Sequence, residues 1–163
     1  MKNTSMAKTG ILTSLFVLLS WIVSGQNLVE KNGIYYSGNK PYSGSYTEYF
    51  SNGKVKTQIN LRKGMKNGEM RVYFENGQIN EIRSYRKNLM DGTWTTWNEK
   101  GTKVAIANYQ KGEKHGDWII WNEKGNLIYE LHYTHGEKSG LWKMYDQEGK
   151  LINQRNYDEK PGK

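Results

Sequence analysis

Five glycines, Gly44, Gly68, Gly92, Gly116 and Gly140, stand 24 residues apart, and a second series, Gly53, Gly77, Gly101, Gly125 and Gly149, runs in phase with them. Self-similarity at a fixed short period marks a repeat architecture, in which each unit is one supersecondary element that buries its apolar side by stacking on its neighbours. The chain reads as five units, 44–67, 68–91, 92–115, 116–139 and 140–163. Other columns keep the same register. The third position holds Tyr46, Met70, Trp94, Trp118 and Trp142, the sixth Tyr49, Tyr73, Trp97, Trp121 and Tyr145, and the eighteenth Leu61, Tyr85, Tyr109, Tyr133 and Tyr157. A glycine at position twenty-one (Gly64, Gly112, Gly136) becomes Asn88 in the second unit and Lys160 in the fifth. Asn tolerates positive φ and can stand in for glycine, whereas Lys160 marks an irregular end.

Each unit translates into a β-hairpin. Around the second glycine stand Ser51-Asn52-Gly53, Glu75-Asn76-Gly77, Glu99-Lys100-Gly101, Glu123-Lys124-Gly125 and Glu148-Gly149, flanked by aromatic and aliphatic residues. Glycine at the end of a short loop between strand-like runs signals a tight hairpin. Strand one then occupies roughly positions 2–7 and strand two positions 12–19, with a glycine-rich link to the next hairpin. The intervals between turns are too short for ordinary helices and show no sustained 3.6-residue apolar period. The fold class expected is all-β, an elongated antiparallel meander of tandem hairpins. Its ten strands would span on the order of 50 Å at the usual interstrand spacing. Aromatics at positions three and six have opposite parity, so either a bulge re-aims one set or both faces are partly covered.

Composition agrees with strands, since 18 Gly, 12 Tyr and 6 Trp accompany only 2 Pro. The N-terminus has a different character. Lys2 and Lys8 precede an apolar stretch from Ile11 to Val23, and small residues follow, which together read as a signal peptide cut between Gly25 and Gln26. The apolar run is shorter than the ~20 residues of a spanning helix. Residues 1–25 are thus assigned as a targeting segment and 26–43 as an N-terminal cap. Export without any cysteine points to a bacterial periplasmic, outer-envelope or extracellular address, because small secreted animal domains are more often stapled by disulfides. The net charge of +8 falls to +6 once Lys2 and Lys8 are removed with no acid lost. That is too dilute to imply nucleic-acid binding.

The pattern Gly-x-Trp-x-x-Trp/Tyr-x-x-x-Gly followed by Tyr-x-x-Gly is clearest in Gly92–Gly101 with Tyr109–Gly112 and in Gly116–Gly125 with Tyr133–Gly136. It resembles the MORN-repeat variant family over residues 44–163. The stretch from Asn32 to Gly44 looks like the opening segment that precedes such arrays. The resemblance implies the fold directly and the activity hardly at all, since repeat arrays serve many partners. Many bacterial relatives carry the label YwqK-family antitoxin, and MORN-type repeats have been associated with lipid headgroups as well as with proteins.

An exported, non-enzymatic scaffold for protein–protein binding is the favoured function, and an antitoxin or immunity protein that neutralises a toxin by direct binding is the alternative. Trp94, Trp97, Trp118, Trp121 and Trp142 are the candidate partner-binding residues, although rings at fixed repeat positions are explained first by hairpin packing. Lys54, Lys56, Arg62, Lys63 and Lys66 face a single acid, Glu48, in the first unit, giving it +4 against −2 in the fourth. They are the candidate contacts for an anionic membrane or polymer surface, set against the plainer role of lysines in keeping sheet edges apart. No cofactor, metal or catalytic site is expected. His115, His132 and His135 lack a third ligand at convincing spacing, and there is no cysteine, nucleophile elbow or phosphate loop. Glu75, Glu99 and Glu123 recur at turn position eight, where a carboxylate can accept from turn N–H groups.

Overall fold

A computed structural model describes residues 27–159, so the targeting segment assigned to residues 1–25 and the last four positions of the fifth unit lie outside the described residues. Among the described residues there is no helix. The cap comprises β1 (Val29–Lys31), β2 (Ile34–Ser37) and β3 (Lys40–Pro41). The array follows as β4 (Gly44–Tyr49), β5 (Val55–Arg62), β6 (Met65–Tyr73), β7 (Ile79–Arg86), β8 (Leu89–Met90), β9 (Gly92–Trp97) and β10 (Lys103–Gln110). It ends with β11 (Glu113–Trp121), β12 (Leu127–Thr134), β13 (Glu137–Tyr145) and β14 (Leu151–Asn156). Strands β4 to β14 form one antiparallel sheet in chain order, with β8 paired only to β7. This is the all-β meander expected from the 24-residue period.

Two kinds of turn alternate along it. At the second glycine of each unit the chain makes a short loop closed by backbone bonds such as Phe50 N–H to Lys54 O and Gly53 N–H to Phe50 O, both near 2.9 Å, with Gly53 at φ 81°. Side chains brace these loops, but not the glutamates at position eight. The acceptors are Asn52 and Asn76 in the first two units, which take the N–H two residues ahead, and Asn98, Asn122 and Asp146 in the later ones, which take those two and four ahead. In these later units an amide or carboxylate one residue earlier already points into the loop as an Asx turn, leaving Glu99 and Glu123 in solvent.

The link between units is itself a hairpin turn of two residues. Lys63-Gly64, Lys87-Asn88, Lys111-Gly112 and His135-Gly136 each have positive φ at both positions, the conformation that matches the twist of two-residue hairpins. Strand one therefore starts three residues before the unit glycine, at Met65, Glu113 and Glu137, and runs nine residues in β6, β11 and β13. In the third unit the same strand is split at Asp91 into β8 and β9.

A register shift recurs in every hairpin and settles the parity question. Glu48 pairs Thr57 while Tyr49 pairs Val55, leaving Lys56 as an extra residue, and Asn80, Val104, Ile128 and Ile152 are the equivalents. This bulge lies on strand two, and the further shifts on strand one, where it pairs the preceding unit, fall around the unit glycine, so strand one alternates from position three to position six and these face opposite ways. Both faces carry aromatics.

Packing is uneven along the array. Buried apolar residues gather where the cap meets the first hairpins, in Tyr35, Ile59, Leu61 and Met70. Tyr35 N–H donates to Gly64 O at 2.9 Å and Gly64 N–H to Tyr42 O at 2.6 Å, which seats the cap on the first link turn. Beyond that, a single-layer sheet leaves most side chains half-buried.

Candidate functional site

The face carrying position three is built as a continuous ladder of rings. Tyr85, Trp94, Tyr109, Trp118, Tyr133, Trp142 and Tyr157 follow one another with centroids 4.8 to 5.5 Å apart and planes tilted by 50 to 62°. Tilted pairs at this distance contribute about 0.5–1.5 kcal/mol each beyond burial. The repeat explains the alternation. Position eighteen of one unit sits beside position three of the next, so a Tyr column and a Trp column interleave. Each indole is also anchored: Trp94, Trp118 and Trp142 donate Nε1–H to the carbonyls of Ser84, Asn108 and His132 at 3.1, 3.0 and 2.8 Å. Burial raises the Tyr109 phenol above its ordinary pKa, as expected of a ring inside the ladder.

Cations cap these rings. Lys114 Nζ lies 4.5 Å from the Trp118 centroid and 4.8 Å from Tyr133, and Lys138 lies 4.6 Å from Trp142 and 5.1 Å from Tyr157. Lys66 takes the equivalent place over Tyr85 at 5.4 Å. Arg83 stacks on Trp94 and Arg155 on Tyr157 from strand two. At the C-terminal end this face opens into a groove of about 450 Å³, with Ile120, Tyr129, Leu131, Trp142, Met144 and Tyr157 among its lining and Lys138 and Arg155 beside them.

The opposite face is polar by comparison. Tyr73 donates its hydroxyl to Gln58 at 2.8 Å, and Glu130 accepts from both Tyr145 and Lys143. Those hydrogen bonds, Tyr145 first and Lys143 second, hold the Glu130 carboxyl below its ordinary range. His132 Nδ1 meets Asp117 at 2.7 Å there, while the His115 and His135 rings lie 5.2 Å apart and tilted by 51° on the rim of link turns. Among the described residues no three His, Cys, Asp or Glu side chains gather as a metal-holding group.

The five candidate tryptophans thus divide. Trp94, Trp118 and Trp142 belong to the ladder, and Trp97 and Trp121, at position six, lie on the other face. The five basic candidates divide too. Lys54 and Lys56 lie at the loop rim, Arg62 and Lys63 at the link-turn rim, and Lys66 over the ladder, with the eight residues of β5 separating the two rims by about 25 Å. What the fold does bring together is Arg62, Lys63, Arg86 and Lys87, which share two adjoining clefts on the link-turn rim. Sequence reasoning by unit missed this grouping. Its trace was a column read down position twenty, Lys63, Lys87 and Lys111.

Four segments, residues 42–63, 66–87, 114–135 and 138–159, match the family model described as MORN repeat variant. Three of the matches begin two residues after Gly64, Gly112 and Gly136, and three end at Lys63, Lys87 and His135, so the matched unit is the hairpin between successive link turns. The stretch left unmatched, 88–113, contains the strand broken at Asp91. No curated protein matches the chain.

Proposed function

The chain belongs to the MORN repeat variant family, and on that premise we propose that it is an exported, non-catalytic scaffold that binds a protein partner over the ladder face of its last two hairpins. The observation that carries this reading is the groove beside Trp142. The groove carries Met144, an exposed large hydrophobic, beside the anchored Trp142, and exposed apolar surface beside anchored aromatics is what partner surfaces supply. A preformed sheet presents it at little ordering cost.

Capture from envelope extract tests the reading when paired variants are used. Met144→Glu places a charge on the groove, and Leu141→Glu places one on the opposite face, each at a residue already exposed by 38% and 45% respectively. A protein held by the parent and by Leu141→Glu but lost from Met144→Glu is the expected result. Retention by both variants, or equal loss from both while folded, would rule out the groove. A captured toxin would assign the immunity role to the same surface. The address is tested separately, by N-terminal sequencing of the envelope fraction: a start at Gln26 is expected, and Met1 on a cytosolic product would end the export reading.

A further inference from the structure

The first residue of a two-residue hairpin turn has positive φ, a conformation that favours Gly, Asn and Asp. The cap follows that preference, with Asn32 at φ 51°. The array does not. Its turns hold Lys63, Lys87 and Lys111 at φ 53°, 50° and 51°. A lysine in the left-handed region is strained, and strain repeated at one structural position points to a role for the side chain. Among the described residues Lys63, Lys87 and Lys111 make no ion pair. Successive link turns lie two strands apart, so the three ammonium groups form a file with a repeat of about 10 Å.

Neighbouring charges strengthen the file over its first three turns. Arg62 and Arg86 precede Lys63 and Lys87, and with Asn67 they line clefts of about 220 and 510 Å³. Two acids line the larger cleft and both have partners: Asp91 meets Arg86 at 3.3 Å and accepts the Lys111 N–H, and Glu69 meets Arg71 at 2.7 Å, while Glu113 lies 3.8 Å from His135. Past the third turn Glu137, Asp158 and Glu159 reverse the sign, which ends the footprint.

We propose that the link-turn rim from Arg62 to Lys111 binds a linear acidic polysaccharide carrying one carboxylate per disaccharide. A polymer with regularly spaced charges can lie along a single file and meet each turn in register, whereas a bilayer would need cations spread over a face. The site is separate from the ladder groove and does not depend on it.

The probe is hyaluronan oligosaccharide, titrated calorimetrically into the purified protein between about 50 and 200 mM salt. Binding that weakens as salt rises is expected. The triple variant Lys63→Asn/Lys87→Asn/Lys111→Asn should lose at least about tenfold in affinity with a weaker salt dependence, since fewer charge pairs remain to be screened. Its melting temperature should stay level or rise, because Asn fits the turn better than Lys, so the loss cannot be blamed on unfolding. Lys54→Asn/Lys56→Asn, on the other rim, should bind like the parent. The proposal is overturned if the parent binds hyaluronan no better than uncharged dextran, or if both variants lose affinity equally. Tighter binding of phosphatidylglycerol vesicles or inorganic polyphosphate through the same lysines would also overturn it.

Discussion

Deleting residues 92–115 should leave a folded protein one hairpin shorter, while deleting residues 92–103 should abolish cooperative folding. The longer cut joins Asp91 to Gly116 and keeps every column in phase. Leu89, Met90 and Asp91 would then lead into Gly116–Trp121 as they now lead into Gly92–Trp97. Trp118 would take the place of Trp94 beside Tyr85, and the Ser84 carbonyl, which now accepts from Trp94, would accept from Trp118. The ladder closes over the gap because each unit contacts mainly its neighbours. The shorter cut joins Asp91 to Val104, placing a strand-two sequence where strand one belongs. Side-chain alternation then fails across the junction, and the Trp and Tyr columns no longer meet. Circular dichroism melts of both deletions beside the parent decide the matter: a sigmoidal transition at reduced temperature is expected for the first and none for the second. Equal damage would refute the repeat-array description.

Substituting Gly64→Ala should destabilise the protein by about 2–5 kcal/mol, the sum of left-handed strain of ~1–2 and overpacking of ~1–3. Gly136→Ala should cost only the first of these. The two glycines occupy the same turn position with similar φ, 77° and 83°, yet their surroundings differ. A Cβ on Gly136 would meet nothing within 4 Å, whereas one on Gly64 would clash with Ile34 Cγ2 and lie 2.9 Å from the Tyr35 carbonyl. Backbone cannot move aside there, since Tyr35 N–H and Gly64 N–H are both committed to the docking bonds of the cap. Urea denaturation of the two variants supplies the comparison. Equal losses would mean that the cap is not seated on this turn. Adding Ile34→Ala to Gly64→Ala should recover part of the deficit but not all, because the Tyr35 carbonyl remains in the way.

Much of this architecture could be read without coordinates. The 24-residue period, the loop at each second glycine and the three aromatic columns all follow from residue spacing, because a repeat forces equivalent residues into equivalent environments. Spacing also placed Tyr109 and Trp118 in adjacent hairpins, which is enough to predict that they pack. The charge on the first unit was countable in the same way, but its placement was not. Lys54 and Lys63 are near in sequence and sit at opposite ends of β5, so only the course of the strand separates them into two rims.

Three further features were decided by tertiary structure. The link turns look like plain glycine-rich connections until backbone geometry makes them two-residue hairpins with lysine in the left-handed region. The faces of positions three and six depended on which strand carries the bulge, and a bulge is one inserted residue with no side-chain signature of its own. Had it fallen on strand one between positions three and six, Trp97 and Trp121 would have turned toward the ladder. The anchoring of Trp94, Trp118 and Trp142 depended on the carbonyl that reaches each indole from ten residues earlier. Residue identity determines the period and the packing partners of this protein, because both are translations along the chain. The assignment of rings and charges to faces and rims was left to the fold, because it depends on hydrogen-bond register between strands.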